Sequence, residues 1–186
     1  VPQLSRHIAR IALAAATRWP GDLRLSLNVT PNDLAAGDFG VSFAALVKAS
    51  KFPAWRLTLE VTEQVLLADV AAAATAFSEL AASGIKFALD DFGAGFCNFR
   101  YLKLLPLDYL KLDRSMIEGV ATDQRDLAVL RAIIAMARAL NLAVVVEGVE
   151  NEAQRLLAAA EGCFAYQGFL RSPPLAAGAF LTDAIA

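Results

Sequence analysis

The chain has 186 residues, of which 57% are hydrophobic and 19% charged, and its formal net charge is −2. That length suits one ordinary domain with a sizeable core, and the charge balance argues against the long basic track that a nucleic-acid polymer needs. A single histidine, His7, argues against histidine-rich zinc sites and Ser-His-Asp catalysis. Charges break the apolar stretches before the ~18 residues of a membrane-spanning helix. The opening Val1-Pro2-Gln3-Leu4 does not read as a signal peptide. Cys97 and Cys163 lack metal-type spacing and read as free thiols of a reducing cytoplasm.

Leu4, Ile8, Ile11 and Ala15 recur at helical spacing and predict a helix over 4–17, ended by Trp19-Pro20-Gly21-Asp22. Leu23 to Val29 alternates as a strand. Residues 39–50 read as a helix, Leu57 to Val61 as a second strand, and 68–82 as an Ala-rich helix stopped by Gly84. Ile85 to Leu89 is a third strand that runs into Asp90-Asp91-Phe92-Gly93-Ala94-Gly95. A short fourth strand, Tyr109 to Leu112, contains Lys111. A periodic helix over 124–140 precedes a fifth strand, Ala143 to Val146, then a helix over 151–160 and a sixth strand, Cys163 to Tyr166. After Ser172-Pro173-Pro174 a last helical turn is expected. Strands alternating with helices imply parallel βα units, and the nearly apolar strands suggest a sheet covered on both faces.

Asn28, Glu60, Asp90, Asp91, Lys111, Glu147 and Gln167 share one topological place, at or beside the C-terminal end of a strand. In a (β/α) barrel those ends converge on the catalytic face; an open parallel sheet also binds ligands beyond them. Several carboxylates at one small site repel each other and raise each other's pKa. A divalent cation with hard oxygen ligands relieves this. Adjacent Asp90 and Asp91 can bridge two cations, and two metals about 4 Å apart clamp a phosphoryl group and ionise the attacking water. Lys111 would then hold that water or the developing charge. A lone acidic residue after a strand is more often a helix cap or a solvated loop charge, so a merely polar barrel rim stays open beside metal chemistry. A dinucleotide fingerprint fails, because Asn98 stands where the third glycine belongs. Phe92, Phe96 and Phe99 read as loop anchors, with a dimer contact as the other possibility.

Leu27-Asn28-Val29-Thr30, Leu59-Glu60-Val61-Thr62-Glu63, Ala88 to Gly95, Leu110-Lys111-Leu112-Asp113, Val146-Glu147-Gly148-Val149-Glu150 and Gln167-Gly168-Phe169 follow one another in the order of a known family. Over about residues 4–175 the chain resembles the EAL domain, the bacterial phosphodiesterase that opens cyclic di-GMP to linear pGpG. The resemblance implies an α/β fold, a (β/α)8 TIM-like barrel with one antiparallel strand, holding two Mg²⁺ or Mn²⁺ ions. It implies Asn28, Glu60, Asp90, Asp91 and Glu147 as metal ligands and Lys111 as the group that orients the water, with Glu147 assisting deprotonation. Glu63 matches the glutamate that holds the loop after the Asp pair; Asp113, Glu150 and Gln167 match supporting or ligand-contacting positions. A homodimer through the loop around 92–102 and a cytoplasmic setting are further expectations, as is a sensory or GGDEF-type domain in a parent protein, for which a membrane anchor stays open.

Two departures stand out. Ala94 replaces the usual threonine of the loop, and Cys97-Asn98 replaces a serine pair, which bears on regulation. The family's first two strands, with the Glu-Ala-Leu glutamate, are not found, so residues 1–186 are expected to be a single EAL-like domain incomplete at its N-terminus. The alternative to an active enzyme is a degenerate domain that acts as a cyclic di-GMP receptor or as a dimerisation or regulatory module.

Overall fold

The computed structural model describes residues 2–35, 37–63, 70–95 and 99–180. Six strands lie in sequence order in one parallel sheet: β1 (Leu25–Asn28), β2 (Leu57–Thr62), β3 (Lys86–Phe92), β4 (Tyr109–Leu112), β5 (Ala143–Val146) and β6 (Ala165–Tyr166). Such an order requires a crossover after each strand. The described helices are α1 (Pro2–Ala16), α2 (Pro31–Leu34), α3 (Phe39–Ser50), α4 (Val70–Ala82), α5 (Arg100–Leu104), α6 (Ser115–Glu118), α7 (Gln124–Ala139) and α8 (Glu152–Ala160). The sheet curls into a half-barrel, an α/β architecture of the TIM-like kind.

Side chains alternate across a strand, and here the two faces differ in chemistry. Leu57, Leu59, Val61, Phe87, Leu89, Leu110, Leu112, Val144 and Val146 form a buried layer against the helices. Within it Phe77 of α4 packs on Phe87, ring centroids 4.6 Å apart. The alternate positions line the concave face and, apart from Val145, are polar or small: Ser26, Asn28, Thr58, Glu60, Thr62, Lys86, Ala88, Asp90, Tyr109, Lys111 and Ala143. The expectation of strands apolar on both faces is therefore corrected. One face carries the hydrophobic core and the other carries the chemistry.

Local signals explain the helix boundaries. Asp123 caps α7 by accepting the Arg125 N–H at 2.6 Å, and Leu127, Leu130, Ile134 and Ala137 form its buried stripe. Asn151 and Gln154 form a capping box at the start of α8. In α1 the buried side chains are Ala9, Leu13 and Ala16, whereas Leu4, Ile8 and Ile11 are more than half exposed. The helix has two apolar stripes, and the smaller residues of the buried one permit close packing. Beyond β6 residues 177–180 are helical, and Phe180 packs on Trp19 with ring centroids 5.4 Å apart. Residues 68–69 of the expected Ala-rich helix lie outside the described residues, as do Phe96, Cys97 and Asn98.

Candidate active site

Strand register gathers the predicted residues at one end of the concave face. Asn28 pairs with Glu60 across β1 and β2, and the Val29 N–H bonds the Glu60 carbonyl at 2.8 Å. Thr30 donates from its N–H and its hydroxyl to Asp33 Oδ2 at 2.9 and 2.6 Å, which pins the turn after Asn28. On β4, Lys111 is 6% exposed. Its Nζ lies 2.9 Å from Glu60 Oε2, 2.8 Å from Asp90 Oδ1 and 2.6 Å from Glu147 Oε1. A buried ammonium is costly without partners; here three carboxylates from three other strand ends supply them.

Strict alternation would aim Asp90 and Asp91 at opposite faces. The β3–β4 register shifts between Leu89 and Phe92, and Asp91 takes φ +55, in the left-handed region. Asp tolerates that conformation better than most residues. The bulge brings oxygens of Asp90, Asp91 and Glu147 within 4.8 Å of one another. Glu60 joins the trio through Lys111, and Asn28 stands beside Glu60 as a neutral oxygen donor.

The electrostatics reflect this crowding. Burial raises the Asp91 pKa, and the Asp90 and Asp113 charges raise it further against the opposing effect of Lys111. Burial also leads in raising Glu147; the hydrogen bond and charge of Lys111 pull it down, while Asp90 and Glu60 push it up. For Lys111 burial works against the ammonium, but hydrogen bonds to Asp90 and Glu147 and the Glu60 charge outweigh it and raise its pKa. One cation thus faces four carboxylates, three of them on its own nitrogen. Hard oxygens in this excess of negative charge fit a hard divalent cation.

Around the core lie the supporting residues. Asp113 accepts the Ser115 N–H at 2.9 Å, and bonds to Ser115 hold its carboxyl below the usual range. Glu150 pairs with Arg114 at 2.8 Å. The Gln167 N–H donates to the Val146 carbonyl at 2.8 Å, and its side chain is exposed. Asp113, Arg114, Glu147, Glu150, Gln167 and Phe169 line a shallow cavity of about 200 Å³ beside Glu147. Glu63 is half-buried just beyond β2, and part of the loop it was expected to hold, residues 96–98, lies outside the described residues.

Sequence reasoning passed over Arg114. Its stem lies where a Cβ on Gly148 would sit, 2.6 Å from that position, and Gly148 has φ +66. The available signal was a cation directly after Asp113, in the row of strand ends. The expected loop anchors are placed in part: Phe92 is buried, and Phe99 meets it edge-on at 6.1 Å.

Comparison with known proteins identifies the family. The profile of the EAL domain matches residues 1–174. MucR of Pseudomonas aeruginosa, a bifunctional diguanylate cyclase/cyclic di-GMP phosphodiesterase, is 42% identical over 139 residues, 75% of this chain and 20% of MucR. The chain thus spans about a fifth of that relative's length. The crystal structure of the EAL domain of Mycobacterium smegmatis DcpA superposes with a TM-score of 0.89 at 36% identity, covering 97% of this chain and 83% of that one. Klebsiella pneumoniae BlrP1, in a manganese/cy-diGMP complex, gives 0.84 at 25% identity over 93% of this chain and 45% of its own. Profile, sequence relatives and structural neighbours agree, and the chain belongs to the EAL domain family.

Proposed function

We propose that the chain is a metal-dependent phosphodiesterase domain that hydrolyses cyclic di-GMP to linear pGpG. The observation that carries this reading is the convergence of Glu60, Asp90 and Glu147 on the buried Lys111, with Asp91 turned into the same cluster by a bulge. The bifunctional cyclase/phosphodiesterase character of MucR and the ligands of the BlrP1 complex support it. On this reading Asn28, Glu60, Asp90, Asp91 and Glu147 would hold two Mg²⁺ or Mn²⁺ ions, which would supply Lewis acidity and a water ionised near neutral pH. Lys111, kept protonated by its carboxylates, donates a hydrogen bond to that water or to the charge growing on the phosphoryl oxygens. Glu147, whose pKa burial raises, accepts the water's proton. Asp113, Glu150 and Gln167 border the cavity beside Glu147 and contact or support the dinucleotide, and Glu63 steadies the loop after the Asp pair.

We further propose a homodimer through the loop around 92–102, where Phe99 is 54% exposed. A longer polypeptide with a sensory or GGDEF-type domain is proposed from the bifunctional MucR. Among the described residues no helix is long and apolar enough to cross a membrane; a cytoplasmic setting is proposed on the ground that cyclic di-GMP is an intracellular messenger. The test is incubation with cyclic di-GMP and Mg²⁺ or Mn²⁺, followed by chromatography. Formation of pGpG, lost in Asp90→Asn, supports the reading. Binding without cleavage makes the domain a receptor, and no binding with or without metal leaves a dimerisation or regulatory module.

A further inference from the structure

The end of the concave face opposite the metal cluster carries a second polar arrangement. Arg24, one residue before β1, donates through Nη1 to the hydroxyl of Tyr109, the first residue of β4. The ring of Tyr109 packs against Phe164, one residue before β6, with centroids 5.9 Å apart. Three strand-to-strand steps separate β1 from β4, which in a flat sheet is about 14 Å. Side chains standing upright on such a sheet would not meet; the contact closes only where the sheet curls toward its concave face.

The same end is fixed in register. Asp108 accepts the Phe87 N–H at 3.0 Å and pairs with Lys86 Nζ at 2.7 Å. This ties the start of β4 to β3, below the bulge that aims Asp91. The chain Arg24–Tyr109–Phe164 therefore reaches from one flank of the half-barrel to the other. The metal-cluster residues stand on the same strands: Asn28 four residues after Arg24, and Lys111 two after Tyr109.

We propose that Arg24 and Tyr109, seated on Phe164, brace the floor of the half-barrel and set its curl, and that through the curl they position Asn28 and Glu60 relative to Lys111 and Glu147. They are positioning residues, remote from the reacting atoms. The effect on the site rests on the metal reading above; the effect on the curl does not.

The test uses the full chain with Cys97 and Cys163 replaced by serine and spin labels at Arg10→Cys and Ala159→Cys, exposed positions on the two flanking helices. Electron–electron double resonance reads the flank-to-flank distance without metal, and Mn²⁺ titration by electron paramagnetic resonance reads the site. Tyr109→Phe keeps the ring on Phe164 and removes the hydroxyl; Arg24→Lys keeps a donor and Arg24→Ala removes it. The expected result is a longer, broader distance in Tyr109→Phe and Arg24→Ala, with Mn²⁺ affinity lower by about tenfold, and values near wild type in Arg24→Lys. Circular dichroism confirms that each variant is folded. An unchanged distance in folded Tyr109→Phe and Arg24→Ala overturns the brace, and a changed distance with unchanged Mn²⁺ affinity overturns its positioning role. A wild-type chain that binds no Mn²⁺ overturns the metal reading, and the distance measurement then decides the brace alone.

Discussion

Replacing Lys111 with Met tests the electrostatic core of the site. Methionine fills a similar volume but leaves Glu60, Asp90 and Glu147 with no cation between them, at a position 6% exposed. Removing one partner of a buried ion pair costs about 3–5 kcal/mol. At about 2–4 °C per kcal/mol for a chain of this size, the melting temperature in EDTA falls by about 6–20 °C. A divalent cation offsets part of the loss, since ligand at a hundred times its dissociation constant returns about 2.7 kcal/mol. The variant gains more from Mn²⁺ than wild type does, because its carboxylates are less compensated to begin with. Adding Glu60→Gln to the variant removes one like charge and raises the melting temperature in EDTA. Differential scanning calorimetry of the proteins, with EDTA and with excess Mn²⁺, measures all of this. A fall of under about 2 °C in EDTA, or a gap that Mn²⁺ does not narrow, would refute the reasoning.

Three further outcomes are expected. Asp90→Asn lowers Mn²⁺ affinity by at least about tenfold, yet shifts metal-free stability by under about 1 kcal/mol, because two carboxylates still hold Lys111 and repulsion with Asp91 is relieved; calorimetric titration and denaturant melts read the two effects. The raised pKa values of Asp91 and Glu147 mean that the folded state binds their protons more tightly than the unfolded state does. Their contribution to metal-free stability is therefore present below the ordinary carboxylate range and lost as pH rises through the folded pKa. Metal must displace those protons, so Mn²⁺ affinity keeps climbing as pH rises above the ordinary carboxylate range, and a titration profile that is already flat there would contradict the shifts. Gly148→Ala places a Cβ 2.6 Å from the Arg114 stem at φ +66; it costs about 1–3 kcal/mol, read by urea melts, and Arg114→Ala added to it does not restore wild-type stability, because the Arg114 Cβ stays in the same place.

The strand-end row was legible because it depends on element order alone. Asn28, Glu60, Lys111 and Glu147 each follow or close a hydrophobic strand core, and a parallel sheet must bring such ends together. The aim of Asp91 was not legible, since period-two alternation sends it away from Asp90 and only a bulge reverses that. The polarity of the concave face was hidden for a related reason. Thr58, Lys86 and Tyr109 look like interruptions in apolar runs until pairing shows them on one face. Periodicity identified α1, but Leu4, Ile8 and Ile11 could not reveal that the sheet takes the face of Ala9, Leu13 and Ala16. The four- and five-residue helices α2, α5 and α6 are too short to carry a period. The Arg114–Glu150 pair joins two loops that meet only through the sheet.

Cleavage of cyclic di-GMP by the chain in Mn²⁺, followed as pGpG by chromatography with Glu147→Gln in parallel, tests the central claim most directly. The account predicts pGpG that requires Mn²⁺ and is lost in Glu147→Gln, a substitution that removes the proton acceptor and one ligand charge while leaving the fold. Cyclic di-GMP bound by wild type but recovered intact would contradict it.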